Sequence, residues 1–344
     1  MFGADYSKNK NILITGATGF VGGHLVAALS EENNNVTALV RKNSNSNLRY
    51  LNNEKVKIVY GDLQDKESLN SALKNVDIVI HSAGLMSDRD YASKKDFFKI
   101  NVRGTENLIT GCLIKNEIKQ FIHISTVGVY GCTGKIAINE SYGYGKSLSP
   151  YEWSKAEAEK IVLKYADRIP ITILRLGQLY GPRMIYGWTN VIEMIYTDRM
   201  KIIGKGESLI HLTYIDDVVN GIKMAIGNEQ CIGQIFNICS ENIYKLSEVF
   251  QAIADTLGKP YPTSIPYYPV YILSCLLNFI PSFLRPKSLR LLTPHRVGFF
   301  KNNHIYDISK AKMVFGYNPT FKMQEGIRRM VEWYFSEFKT RKVH

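Results

Sequence analysis

The chain lacks the marks of several protein classes. Its five cysteines (Cys112, Cys132, Cys231, Cys239 and Cys275) form no C-x-x-C pair and share no metal-ligand spacing with histidine. No metal is therefore expected, and the cysteines read as reduced, mostly buried thiols of a cytosolic protein. Residues 1–11 are polar and without the apolar core of a signal peptide. No apolar run reaches the roughly 20 residues of a membrane span. No internal repeat is present and no Gly/Ser linker divides the chain. Acidic residues are the scarcer charge, 31 against 43 Lys and Arg, for a formal net charge of +12. The cations are scattered apart from short clusters such as Lys339-Thr-Arg-Lys342. No helix-turn-helix, zinc-finger or aromatic RNA-binding pattern accompanies them, so no nucleic acid partner is expected. An anionic cofactor, an anionic substrate or a membrane surface accounts for the charge.

What is present is an alternation. Short β-branched runs (Ile12–Thr15, Val36–Val40, Lys57–Tyr60, Asp77–His81, Phe121–Ser125, Ile171–Leu174) are separated by helix-length segments (Val21–Glu32, Lys66–Lys74, Asn101–Lys115, Tyr151–Ala166). That order predicts an α/β fold, a doubly wound parallel sheet with helices on both faces. Beyond residue 178 the pattern loosens into loops, the strand Gln234–Ile238 and helices Val218–Ile226, Leu246–Leu257 and Gln324–Phe338. The expected division is a nucleotide-binding domain over 10–177 and a smaller, interleaved C-terminal substrate lobe over 178–344. The Asn/Ser-rich stretch 43–53 is expected to be an exposed loop. The apolar stretch Tyr267–Ile280, followed by Pro281, Arg285 and Lys287, has two readings. One is a buried helix or pocket wall. The other is a peripheral membrane contact through 267–287, with the cations facing head groups. Either suits a cytoplasmic protein, membrane-associated in the second case.

Gly16-Ala-Thr18-Gly19-Phe20-Val21-Gly22 follows a predicted strand and opens a predicted helix, the context a dinucleotide-binding turn requires. Its glycines allow a tight turn and close approach to a pyrophosphate, and the helix N-terminus offers free N–H groups to that anion. At the end of the second strand, where an NAD-binding protein usually carries an acid for the ribose 2′-hydroxyl, stand Arg41 and Lys42. A guanidinium there pairs with a 2′-phosphate, so NADP(H) is favoured. NAD(H) is the alternative if both cations merely solvate the strand end.

Tyr151 and Lys155 are spaced i, i+4 on a predicted helix and share one face. Ser149, Pro150 and Glu152 mark its start as a capping box with proline in the first turn. A tyrosine normally titrates near pH ~10. A neighbouring ammonium favours phenolate and makes it a usable acid–base group. Ser125-Thr126 ends a predicted strand, which places Thr126 to hydrogen-bond a reacting oxygen. Asn101 opens the preceding predicted helix, where it either holds the lysine through backbone and water contacts or serves as an N-cap.

These residues resemble the extended short-chain dehydrogenase/reductase family. Thr15–Gly22, Gly61-Asp-Leu63, His81-Ser-Ala-Gly84, Asn101-Val-Arg-Gly-Thr105, Ser125-Thr126, Tyr151-x-x-x-Lys155 and Leu174-Arg-x-x-x-x-Tyr-Gly-Pro182 look like its landmarks in its order, and the likeness extends to about residue 338. The resemblance implies a Rossmann-type sheet. It implies that Asp62 and Leu63 contact the adenine, that Ala83 and Gly84 line the cofactor, and that Thr126, Tyr151 and Lys155 are catalytic. It also implies a small-molecule substrate, and a homodimer is expected. Within the family, nucleotide-sugar enzymes usually carry Asn where this chain has Gln178, and an arginine where it has Ile210. The wording Leu209-Ile-His-Leu-Thr-Tyr-Ile-Asp-Asp217 looks more like the branch of 3β-hydroxysteroid dehydrogenases and dihydroflavonol reductases. A hydrophobic alcohol or ketone is thus the favoured substrate and a nucleotide sugar the alternative.

Overall fold

The computed structural model describes residues 8–42, 48–51, 54–86, 92–115, 117–131, 134, 137–146, 148–280, 284–286, 289 and 292–340. Cys132, Lys287, Lys342 and most of the 43–53 stretch lie outside the described residues. The strands are β1 (Asn11–Thr15), β2 (Asn35–Val40), β3 (Val56–Tyr60), β4 (Ile78–His81), β5 (Gln120–Thr126), β6 (Ile171–Leu176), β7 (Gln178–Tyr180), β8 (Ile202–Ile203), β9 (Leu209–Tyr214), β10 (Gln234–Ile238), β11 (Ile243–Lys245) and β12 (Ser264–Ile265). The helices are α1 (Phe20–Glu31), α2 (Lys66–Ala72), α3 (Lys94–Phe97), α4 (Gly104–Lys115), α5 (Pro150–Leu163), α6 (Trp188–Tyr196), α7 (Ile215–Ala225), α8 (Leu246–Leu257), α9 (Tyr267–Asn278), α10 (Pro294–Gly298), α11 (Ser309–Phe315) and α12 (Met323–Trp333).

Seven strands form one sheet in the order β10-β6-β5-β4-β1-β2-β3, with every neighbouring pair parallel. Period-two alternation sends successive side chains of each strand to opposite faces. From β1, Ile12 and Ile14 join the core that holds Leu25, Val26 and Leu29 of α1. Leu13 instead joins the core with Leu69 of α2 and Leu108 of α4. Strands covered on both faces are buried along their whole length, as in β4 and β6, whose residues are apolar apart from His81, Thr172 and Arg175. The chain leaves β1 towards β2 on one side and β4 on the other. Such a reversal opens a crevice at the carboxyl ends of the strands, where open α/β sheets bind ligands.

β10 comes from beyond residue 178 yet pairs with β6, and α7 packs on α1. Small sheets β11-β9-β7 and β12-β8 lie among the remaining C-terminal helices. Two expectations are corrected. Asn101 neither opens a helix nor caps one: Ser93 caps α3 with a capping box, and Asn101 lies inside the π-helical turn Phe98–Arg103 that leads into α4. The reading of 267–280 as a buried helix also fails, because only Ser274 and Leu277 of α9 are buried. Arg285, expected to face outward, is itself buried and donates from Nε to the Ile280 carbonyl at 2.8 Å.

Candidate active site

Two positions after β1, Gly16 and Gly22, admit nothing larger than glycine. Gly16 has φ +70°, and a Cβ there would come within 2.7 Å of the Ala83 backbone nitrogen. A Cβ on Gly22 would collide with the Gly16 carbonyl. Gly19 caps α1 with extended backbone, no side-chain cap and no acid in the first turn. The N–H groups of Phe20, Val21 and Gly22 are thus left without an intrahelical partner, and with the Thr18 turn they form a cradle that fits a pyrophosphate.

A chain of hydrogen bonds ties this turn to the rest of the site. Ala83 N–H donates to Thr15 Oγ1 at 3.2 Å, and Thr15 Oγ1 lies 2.7 Å from His81 Nδ1. His81 Nε2 lies 2.9 Å from Thr105 Oγ1, whose own proton is given to the Asn101 carbonyl at 2.5 Å. Thr105 can therefore only accept from His81, which fixes the proton on Nε2 and makes Nδ1 the acceptor. Burial, with the nearby Lys155 charge adding to it, lowers the His81 pKa to about 3 and keeps the ring neutral. Asn101 continues the chain. Its Oδ1 accepts from Leu85 N–H at 2.6 Å, and its Nδ2 donates to the Leu85 carbonyl at 3.1 Å and to Ser154 Oγ at 2.8 Å. Asn101 therefore pins the Gly84–Leu85 loop to α5.

Asp62 is half-buried after β3 and accepts from Gln64 N–H at 2.8 Å, a turn that presents it beside buried Leu63. Arg41 and Lys42 follow β2 and are exposed. Neither has a hydrogen bond or ion pair among the described residues.

Helix α5 starts as its sequence demands. Ser149 Oγ accepts from Glu152 N–H, and Glu152 accepts from Ser149 N–H at 2.8 Å. Tyr151 is half-buried with its ring edge-on to Phe97, centroids 6.3 Å apart. One turn on, Lys155 is buried and donates from Nζ to the Ile124 carbonyl of β5 at 2.7 Å, leaving two protons for other acceptors. Burial lowers its pKa to about 8, against the pull of Glu159. At the end of β5, Thr126 Oγ1 accepts from Gly128 N–H at 3.1 Å. A methyl on Gly128 would lie 3.3 Å from Thr126 Oγ1 and 3.0 Å from Glu152 Cγ, so this turn abuts the first turn of α5.

Three features escaped sequence reasoning because their partners are distant in the chain. Glu152 pairs with His295 of α10 at 2.9 Å. Glu159 and Arg175 form a fully buried ion pair at 2.7 Å, with the guanidinium over the Tyr130 ring. His24 on α1 donates to the Pro182 carbonyl at 3.0 Å, and the adjacent Arg183 has φ +71° and stacks on Tyr50 at 4.1 Å. The arginine in Leu174-Arg175 and the Gly-Pro182 step were the only sequence traces of the last two. Among the described residues, no group of three His, Cys, Asp or Glu is arranged to hold a metal.

Comparison with known proteins places this geometry. The family model described as "NAD dependent epimerase/dehydratase family" matches residues 12–239. The 2-alkyl-3-oxoalkanoate reductase of Shewanella oneidensis is 27% identical over 94% of this chain and 86% of its own. The decarboxylating sterol-4-alpha-carboxylate 3-dehydrogenase of Mus musculus is 28% identical over 95% and 92%. Among solved structures, UDP-glucuronic acid 4-epimerase from Bacillus cereus, in complex with UDP-glucuronic acid and NAD, superposes with a TM-score of 0.77 at 25% identity, covering 97% of this chain and 100% of that one. The chain belongs to the NAD dependent epimerase/dehydratase family and is a nicotinamide-dependent enzyme of the extended short-chain dehydrogenase/reductase type.

Proposed function

We propose that this enzyme transfers hydride between NADP(H) and a secondary alcohol or ketone of a hydrophobic, steroid- or lipid-like substrate. Ile210 carries the reading. Where nucleotide-sugar enzymes tend to place an arginine, Ile210 is fully buried in β9 and its backbone faces Tyr244 of β11. A diphosphate finds no charge-assisted partner there. Gln178 in β7 departs from the usual asparagine in the same direction. Two of the relatives are named for a 2-alkyl-3-oxoalkanoate and a sterol carboxylate, substrates of the proposed class.

In this reading Tyr151 takes the alcohol proton during oxidation and returns it during reduction. Lys155, a buried cation at neutral pH, favours the phenolate. Thr126 already accepts from Gly128, which leaves its hydroxyl proton to donate to the reacting oxygen. Asn101 positions the Gly84–Leu85 loop against α5. When bound, the cofactor supplies or receives the hydride. Gly16, Thr18, Gly19, Phe20, Val21 and Gly22 hold its pyrophosphate, Asp62 and Leu63 its adenine, and Ala83 and Gly84 its inner edge. Arg41 reads the 2′-phosphate, so Arg41→Glu should cut kcat/KM for NADPH at least tenfold, roughly the loss of one charge-assisted contact, with NADH little changed. A homodimer is the proposed assembly, checked by light scattering.

A nucleotide-sugar reading has its own support in the UDP-glucuronic acid 4-epimerase likeness. Arg183 adds to it, because its buried Nη1 has no acceptor among the described residues and suits a diphosphate. A thermal-shift panel decides between the two. With NADP+ present, UDP- and dTDP-sugars are compared with 3β-hydroxysteroids and related alcohols, since a ligand that binds only the folded state raises the melting temperature. Stabilisation by the hydrophobic alcohols alone supports the proposal. Stabilisation by a nucleoside diphosphate sugar overturns it.

A further inference from the structure

Helix α9 turns its apolar side outward. It contains no charged residue. Tyr268 (65% exposed), Ile272 (58%) and Leu276 (61%) stand on one face, and Phe279 just beyond the helix is 88% exposed. Spacings of four, four and three residues put all four in a single stripe. Ile280 and Leu284 extend the patch. The opposite side rests on α10, and its buried residues are only Ser274 and Leu277. A soluble surface helix places its residues the other way round.

Charge says what covers this face. From Thr256 to Tyr306 the sequence contains no Asp or Glu. Of its cations Arg285 is buried and Lys259 is paired with Asp198, which leaves Lys287, Arg290, Arg296 and Lys301 as the net positive charge. At the root of the stripe, Lys205 and Lys301 line a cleft of about 290 Å³ together with Tyr267, Tyr268 and Phe300. Lys301 Nζ lies 4.9 Å from the Tyr268 ring centroid and 3.3 Å from its hydroxyl. Glu207 also lines the cleft, and its carboxylate is engaged by Lys245 at 2.8 Å. A second copy on this face would bring two acid-free, cationic segments together, which like-charge repulsion opposes. An anionic lipid surface complements both the apolar stripe and its charge, with tyrosines at the level where interfacial aromatics sit.

We propose that α9, with Phe279 and Ile280 just after it, docks the enzyme on an anionic lipid bilayer. The helix lies in the plane of the interface, with Ile272, Leu276 and Phe279 among the acyl chains and Lys205 and Lys301 at the head groups. It lies on the bilayer rather than crossing it, since among the described residues no helix is long and apolar enough to span. The surface is independent of the substrate reading, because a nucleotide-sugar enzyme carrying it would dock equally.

The test is vesicle flotation of the purified full chain, with phosphatidylcholine alone and with phosphatidylglycerol added. The expected result is co-flotation with the anionic vesicles, weakened by salt. Leu276→Asp with Phe279→Asp should reduce it by about tenfold or more, given the apolar area withdrawn from the interface, while the cofactor-induced rise in melting temperature stays unchanged. If that double variant folds poorly, Phe279→Asp alone serves, because its side chain is nearly fully exposed. Absence of the wild type from anionic vesicles overturns the proposal, as does flotation indifferent to the substitutions. So does light scattering that shows a dimer split by Phe279→Asp, which would make a second copy the occupant.

Discussion

Lys155 carries its ammonium into the protein with the Ile124 carbonyl at 2.7 Å, and burial brings its pKa from 10.5 to about 8. Between those values the unfolded chain binds more protons than the folded one, so this residue makes stability rise with pH there. Below pH 8 the cost of burying the charge is present in full. Urea unfolding without cofactor should therefore show wild type gaining on Lys155→Met, by on the order of 3 kcal/mol, between pH 8 and 10.5. A difference between the two proteins that is flat with pH would contradict it. On the proposed mechanism Tyr151→Phe removes only the proton-transferring group, so kcat should fall by about 10²–10⁴ while cofactor binding persists. Single-turnover hydride transfer with a reactive alcohol checks this. These two residues were legible because their relationship is local, four positions apart on one helix. The neutral state and tautomer of His81 were not legible, since they depend on Thr15 and Thr105, which come together only in the fold.

At the scale of elements, helix starts written in consecutive residues could be read in advance and contacts between elements could not. The capping box of α5 is local and stands as expected. The misplacement of Asn101 has a physical reason: Ser93, the better cap, begins the helical path earlier, and a π turn then re-aims Asn101 at Leu85 and Ser154. Gly22→Ala tests the tightest element junction. Its methyl would strike the Gly16 carbonyl, so stability should fall by about 1–3 kcal/mol, and the thermal shift produced by the nicotinamide cofactor should vanish. The Glu152–His295 pair joins α5 to α10. Its hydrogen bond to Glu152 raises the His295 pKa above 6.5. Burial acts to raise Glu152, but the contacts with His295 and Ser149 leave it below 4.5. The pair's stabilisation is thus complete between pH 4.5 and 6.5. It is lost as pH rises through the elevated histidine pKa, or falls through the depressed carboxylate one. The His295 side chain is 40% exposed, so His295→Gln should cost under about 1 kcal/mol. Melting curves across pH should show that gap narrowing on the alkaline side.

At the scale of the whole molecule, the strands of the seven-stranded sheet were all legible, because central parallel strands are short apolar runs bounded by turns. The small sheets were not: β8 and β11 have only two or three residues and carry no period to read, and the six residues of β9 read as a motif rather than as a strand. Nor did spacing show that β10 returns to the edge of β6, which is a matter of topology rather than of local sequence. That return has a consequence for any division at residue 177. A fragment ending there keeps the nucleotide turn and the Tyr151–Lys155 helix but loses β10 and α7. The backbone of β6, every residue of which is buried in the full chain, would then present an apolar open edge. The face of α1 that α7 covers would be bared as well. Exposed apolar edges of this kind template aggregation. The fragment 8–177 should accordingly be insoluble or fail to bind cofactor, while the full chain unfolds in one cooperative transition on which circular dichroism and intrinsic fluorescence coincide. A soluble fragment that still gains thermal stability from the nicotinamide cofactor would show instead that the first half folds as an autonomous unit and that β10 only decorates its edge.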